Sequence, residues 1–163
     1  MSIRLITILG LVLTAAGCSQ DDTAEPPAVP EAQSESPAAT TVVGLERRPS
    51  PAGASAYIIS PADGATVENP VRVLFGLKGA GVVPAGIERE GAGHHHLLID
   101  APLPDLDLPI PSDANHRHFG AGQTEVELEL APGTHTLQLL LGDERHIPHD
   151  PPIVSEPITI EVR

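Results

Sequence analysis

The sequence predicts an all-β protein: a small antiparallel β-sandwich carried behind an export signal and a flexible tether. Three observations lead there. Apolar residues in the C-terminal part of the chain recur with period two, and turn-forming clusters separate those runs at short intervals. No stretch of this part keeps the period of a helix, and the chain's 18 prolines interrupt most candidates.

The chain opens with Met-Ser-Ile-Arg and an apolar run over residues 5–16, broken only by Thr7, Gly10 and Thr14. A charged start and a short apolar core are the pattern of a secretory signal. About a dozen residues fall short of the roughly 20 that a membrane-spanning helix needs. Ala15-Ala16-Gly17-Cys18 closes the run and resembles the lipobox of bacterial lipoproteins, with Ala15 where Leu is usual. That resemblance implies a signal peptide over residues 1–17 and a lipid on Cys18, the new N-terminus. Several acyl chains on one residue anchor a protein lastingly, where one chain does not. Ser19, rather than Asp, after the cysteine implies an exported protein lipid-anchored to the outer membrane and facing the periplasm.

Residues 18–55 hold the lipidated cysteine and then a stretch rich in Pro, Ala, Ser, Thr and Glu, with Arg47 and Arg48 its only basic residues. Such a segment cannot bury enough apolar area to offset its ordering entropy, so it reads as a disordered tether that adds nothing to a core. At about 35 residues it reaches a few nanometres. Its end, near Val42-Val43-Gly44-Leu45, could alternatively add an edge strand.

Residues 56–163 form one domain. Tyr57-Ile58-Ile59 supplies a first strand before the turn cluster Ser60-Pro61-Ala62-Asp63-Gly64. Val71, Val73, Phe75 and Leu77 mark a second, residues 95–100 a third, and Val126, Leu128 and Leu130 a fifth. Ala131-Pro132-Gly133-Thr134 reads as a hairpin-like turn into a sixth, with Leu137, Leu139 and Leu141 on one face. Ile158, Ile160 and Val162 end a seventh over residues 153–162. The fourth is unmarked, because residues 101–115 carry four prolines and read as an irregular excursion. This order resembles an immunoglobulin-like β-sandwich.

A net charge of −13 opposes binding to phosphate backbones. The only rings besides histidine are Tyr57, Phe75 and Phe119, so stacking platforms are scarce and nucleic acid is excluded as a partner. The single cysteine, spent on lipid, leaves no disulfide and no thiolate ligand.

The eight histidines are the informative residues, all between 94 and 149. In a strand, residues two apart share a face, which places His94 and His96 about 7 Å apart along the backbone, a spacing that suits two ligands on one ion. His95 points the other way, with Leu97 and Ile99, and reads as a hydrogen-bonded histidine at the core edge. In an immunoglobulin-like order three connecting loops gather at one end, bringing His94 and His96, His116 and His118, and His146 and His149 together. His135 falls at the other end and resembles the corner tyrosine of such domains, a structural role. Imidazole suits zinc, copper, nickel and iron, whereas calcium and magnesium prefer oxygen. With no Met in the mature chain and its only Cys spent on lipid, copper(II) or zinc is the natural cargo. Asp143, Glu144 and Asp150 could add a ligand or orient an imidazole.

Gly93-His94-His95-His96-Leu97-Leu98-Ile99-Asp100, the run from His118 to Glu125, and the run from Pro132 through His146-Ile147-Pro148-His149-Asp150-Pro151-Pro152 resemble the exported family catalogued as domain of unknown function 4399. The resemblance covers residues 90–163 and implies a small extracytoplasmic domain with no assigned activity. Three functions fit the residues. The first is a cell-envelope lipoprotein that binds copper or zinc for buffering or delivery to an envelope metalloprotein or other metal acceptor. The second is a structural or protein-interaction lipoprotein without metal. The third is a metal-dependent enzyme with Asp150 or Glu144 as base, although no catalytic signature accompanies the histidines.

Overall fold

The structure, a computed structural model, describes residues 45–163; the residues read above as a signal peptide, Cys18 and most of the stretch read as a tether lie outside the described residues. The described chain forms strands β1 (Ser55–Ser60), β2 (Thr66–Val67), β3 (Val71–Lys78), β4 (Gly81–Val82), β5 (Ala92–Ile99), β6 (His116–His118), β7 (Glu125–Leu128), β8 (Gly133–Gly142) and β9 (Ile158–Val162). It contains no helix. One sheet runs β1-β3-β7, and the other runs β2-β9-β8-β5-β4 with β6 also paired to β5.

The period-two runs explain why the two sheets pack as a sandwich. Val71, Val73 and Phe75 of β3 and Leu128 of β7 project from one sheet. Leu97 and Ile99 of β5, Leu137, Leu139 and Leu141 of β8, and Ile160 and Val162 of β9 project from the other, and all are buried in one apolar core. Each such side chain contributes roughly 1.5–3 kcal/mol by leaving water. The outer face of the larger sheet carries a second, smaller cluster: Leu98 and Leu140, covered by Ile110 and Leu106 from the proline-rich excursion.

Four expectations need correction. The sandwich is not purely antiparallel, because β2 pairs with β9 and β4 with β5 in parallel. Residues 131–134 do not make a hairpin within a sheet. β7 pairs with β3, whereas both edges of β8 are already taken by β5 and β9, so the turn crosses between sheets. The third strand begins earlier than residue 95, so that all three consecutive histidines lie inside β5.

The fourth correction is the tether boundary, since the packed chain begins well before residue 56. Arg47 donates to the carbonyls of Pro148 and His149. The Asp150 N–H bonds the Arg48 carbonyl at 2.8 Å, and the Ser50 N–H bonds the Asp150 carbonyl at 3.0 Å. Arg48 pairs with Glu144 at 2.6 Å and Glu88 at 2.7 Å. The composition of this stretch is tether-like, but its two arginines meet an acidic loop and strap it down.

Candidate metal centre

Alternation along β5 sorts its three histidines. His95 faces inward with Leu97 and Ile99, and its ring lies 5.3 Å from that of Phe75. His94 and His96 share the outer face with Leu98. Register then brings partners to them: Gly142 of β8 stands opposite His94, and His118 of β6 stands opposite His96 on the other side. The loop after β8 supplies His146.

The four rings of His94, His96, His118 and His146 form one cluster. His94 lies 4.8 Å from His96, 4.9 Å from His118 and 4.9 Å from His146, centroid to centroid. His118 lies 5.1 Å from His96 and 4.8 Å from His146, and His96 and His146 are 5.9 Å apart. In His94, His96 and His118, one nitrogen of each can be chosen so that all lie within 4.8 Å of one another, a spacing that can hold a metal ion.

Glycine makes the room. A Cβ on Gly142 would sit 2.9 Å from Cε1 of His96 and 3.2 Å from Cα of His146. One on Gly120 would sit 2.3 Å from Cε1 of His118. Sequence reasoning missed both glycines, although Gly142, closing the run Leu139-Leu140-Leu141, was a visible signal.

His94 and His96 are fully buried, and neither ring nitrogen of either has a hydrogen-bond partner. Leaving such a group unpaired costs about 1–3 kcal/mol. Burial, reinforced by the neighbouring histidines, pushes His94 down to about 4 and His96 to about 2. The partly exposed His118 is lowered as well, by burial and then by His146. These imidazoles are therefore neutral at pH 7, the form that coordinates a metal. Burial without partners does not by itself define the site, because His95 shares both properties and is likewise lowered by burial, to about 4. It is not the hydrogen-bonded histidine anticipated. Mutual approach sets the four apart.

Of the six expected ligands, two lie elsewhere. His116 stands one step along the ladder, opposite Leu98, and its Nδ1 pairs with Asp113 at 2.9 Å. His149 is fully buried and lowered chiefly by burial, its nitrogens unpartnered, but its ring is not among those in contact with the cluster. His135 bridges Asp100 and the Ala131 carbonyl at 2.6 and 2.9 Å. The Asp100 carboxylate and that carbonyl raise its pKa.

The carboxylates are committed to arginines and backbone rather than to the cluster. Buried Asp143 accepts from the N–H groups of Arg145 and Ile147 at 2.8 and 2.9 Å and from the Arg145 guanidinium at 2.8 Å. Burial alone would raise its pKa, but these bonds hold it below the ordinary carboxylate range. Asp143 thus shapes the loop that presents His146. Glu144 pairs with Arg48, and Asp150 lies 3.7 Å from Arg47.

Comparison with known proteins adds the lineage. The family model described as Domain of unknown function (DUF4399) matches residues 73–163, from β3 to the last residue. The chain belongs to this family. The match covers every residue of the histidine cluster and begins ahead of the stretch that carries the sequence resemblance. No curated protein and no solved structure matches the chain.

Proposed function

We propose that this DUF4399 protein binds a transition metal ion, copper or zinc, through His94, His96 and His118, with His146 beside them, and that it buffers the metal or delivers it in the cell envelope. The observation that carries this reading is the pair of fully buried, unpartnered imidazoles on β5, aimed at a third across the ladder. A coordinated ion satisfies one lone pair on each ring and makes use of the neutral form that burial enforces. The lipobox-like Cys18 supports anchoring to the membrane, in the outer membrane facing the periplasm, with a metal-accepting envelope protein as partner.

Titration of the purified protein with zinc and with copper tests the reading. Wild type should bind near one ion per chain, and His96→Ala should weaken binding by about tenfold or more, at least the loss typical of disturbing even an outer partner of a ligand. Absence of binding by wild type would leave the interaction-lipoprotein reading in its place. For the anchor, Cys18→Ser should abolish membrane partitioning, and a cleaved variant that still partitions with membranes would refute lipidation.

A further inference from the structure

The four rings stand in a spatial arrangement that distinguishes metals. An ion bound to imidazole nitrogen at about 2.0–2.1 Å lies roughly 3.2 Å from each ring centroid. Four such centroids are all about 5.2 Å apart in a tetrahedron; in a square, four separations are about 4.5 Å and both diagonals about 6.4 Å. Here five of the six separations fall between 4.8 and 5.1 Å, and only His96 to His146 opens to 5.9 Å. If that long edge were the diagonal of a square, the opposite pair, His94 and His118, would have to be equally far apart. They are 4.9 Å apart. The ring centroids form a tetrahedron with one edge stretched, in which nitrogens of His94, His96 and His118 already converge within 4.8 Å and the His146 ring borders all three.

The backbone at His146 points the same way. Its φ is 69°, in the left-handed region that favours glycine. Two hydrogen bonds hold it there: its N–H donates to the Asp143 carbonyl at 2.9 Å, and its carbonyl accepts from the Ile110 N–H at 2.8 Å. The turn would close more easily on glycine. A histidine in such a conformation, with its ring seated against three others, is a placement that folding alone does not require.

We propose that His146 is the fourth ligand and closes the site into a four-coordinate tetrahedral zinc centre. This rests on the reading that the cluster binds metal. Zinc has no geometric preference from its d electrons and accepts the tetrahedron, whereas copper(II) favours a tetragonal plane that this cluster does not offer. Four protein ligands leave no open position for substrate, which fits holding or passing on an ion rather than catalysis.

Cobalt(II) substitution with zinc competition tests the proposal on full-length protein. Wild type should give the intense visible bands of four-coordinate cobalt, lost on adding zinc. His146→Gly should weaken zinc binding at least tenfold and shift the position and intensity of those bands, as water takes the fourth place beside three imidazoles, while the metal-free variant unfolds no more easily than wild type. His146→Asn, which tolerates the same backbone, should behave alike and serves if the glycine variant misfolds. Unchanged zinc affinity and cobalt bands in these variants, with binding lost in His96→Ala, would overturn the role of His146 and leave the metal site standing. Faint bands in wild type would overturn the tetrahedron, and displacement of zinc by equimolar copper(I) under anaerobic conditions would overturn the choice of zinc. Failure of wild type to bind any of these metals would refute the underlying reading itself.

Discussion

Replacing His95 with leucine should make the domain more stable while leaving metal binding intact. His95 is fully buried on the inward face of β5, packed on Phe75, with both ring nitrogens unpartnered. An unpaired buried polar group costs about 1–3 kcal/mol, and an apolar side chain of similar size removes that cost. The net gain at pH 7 should be about 0.5–2 kcal/mol, after allowance for imperfect repacking. Acid should widen it. Burial depresses the folded-state pKa to about 4 from the ordinary imidazole value of 6.5, so between those values the unfolded chain binds the extra proton and wild type loses stability as pH falls. One proton is worth about 1.4 kcal/mol per pH unit, so the advantage of His95→Leu should grow by about 1 kcal/mol between pH 7 and pH 5.5. Urea unfolding at both pH values, with zinc titration at pH 7, measures all three quantities. A variant less stable than wild type by more than about 1 kcal/mol, with no change of the difference between the two pH values, would refute the account of His95 as a neutral core residue.

Gly142→Ala places a methyl group against His96 and His146 without removing a ligand, and should lower metal affinity and cost about 1–3 kcal/mol of stability; titration and unfolding of the one variant check both. Deleting residues 19–52 should lower the domain's stability by more than about 1 kcal/mol, because it removes the charge-assisted bonds of Arg47 to the carbonyls of Pro148 and His149 and the pairing of the 48–50 backbone with Asp150. Unchanged thermal unfolding would show that the strap is idle. His135 has a raised pKa, so its stabilisation is fully present below the unfolded value and fades as pH rises through the folded one. His135→Ala should therefore be most destabilising in mild acid, with the difference from wild type narrowing in alkali and metal binding spared, as unfolding curves from pH 5 to 9 can show.

Much of this was legible in the residues. Period-two runs located β3, β5, β7, β8 and β9, because a half-buried strand writes its two faces into alternate positions, and an apolar triplet ahead of a turn cluster located β1. The same rule separated His94 and His96 from His95. Sheet membership was not legible: Ala131-Pro132-Gly133-Thr134 has turn chemistry whether it closes a hairpin or crosses between sheets, and only the long-range pairing of β7 with β3 decides. Register was likewise hidden. His116 and His118 look equivalent in sequence, yet one stands opposite Leu98 and the other opposite His96. His146 and His149 also look equivalent, and it is the loop organised by Asp143 that turns His146 to the cluster. The role of Arg47 and Arg48 was masked by tether-like surroundings, since an ion pair with residues about a hundred positions away leaves no local pattern.

X-ray absorption on zinc-loaded wild type tests the central claim most directly, because it reads donor type, number and distance together. The four-histidine cluster predicts about four nitrogen donors at roughly 2.0–2.1 Å, with the outer-shell scattering of several imidazoles and no sulfur. A spectrum dominated by oxygen donors, or one imidazole among waters, would contradict it.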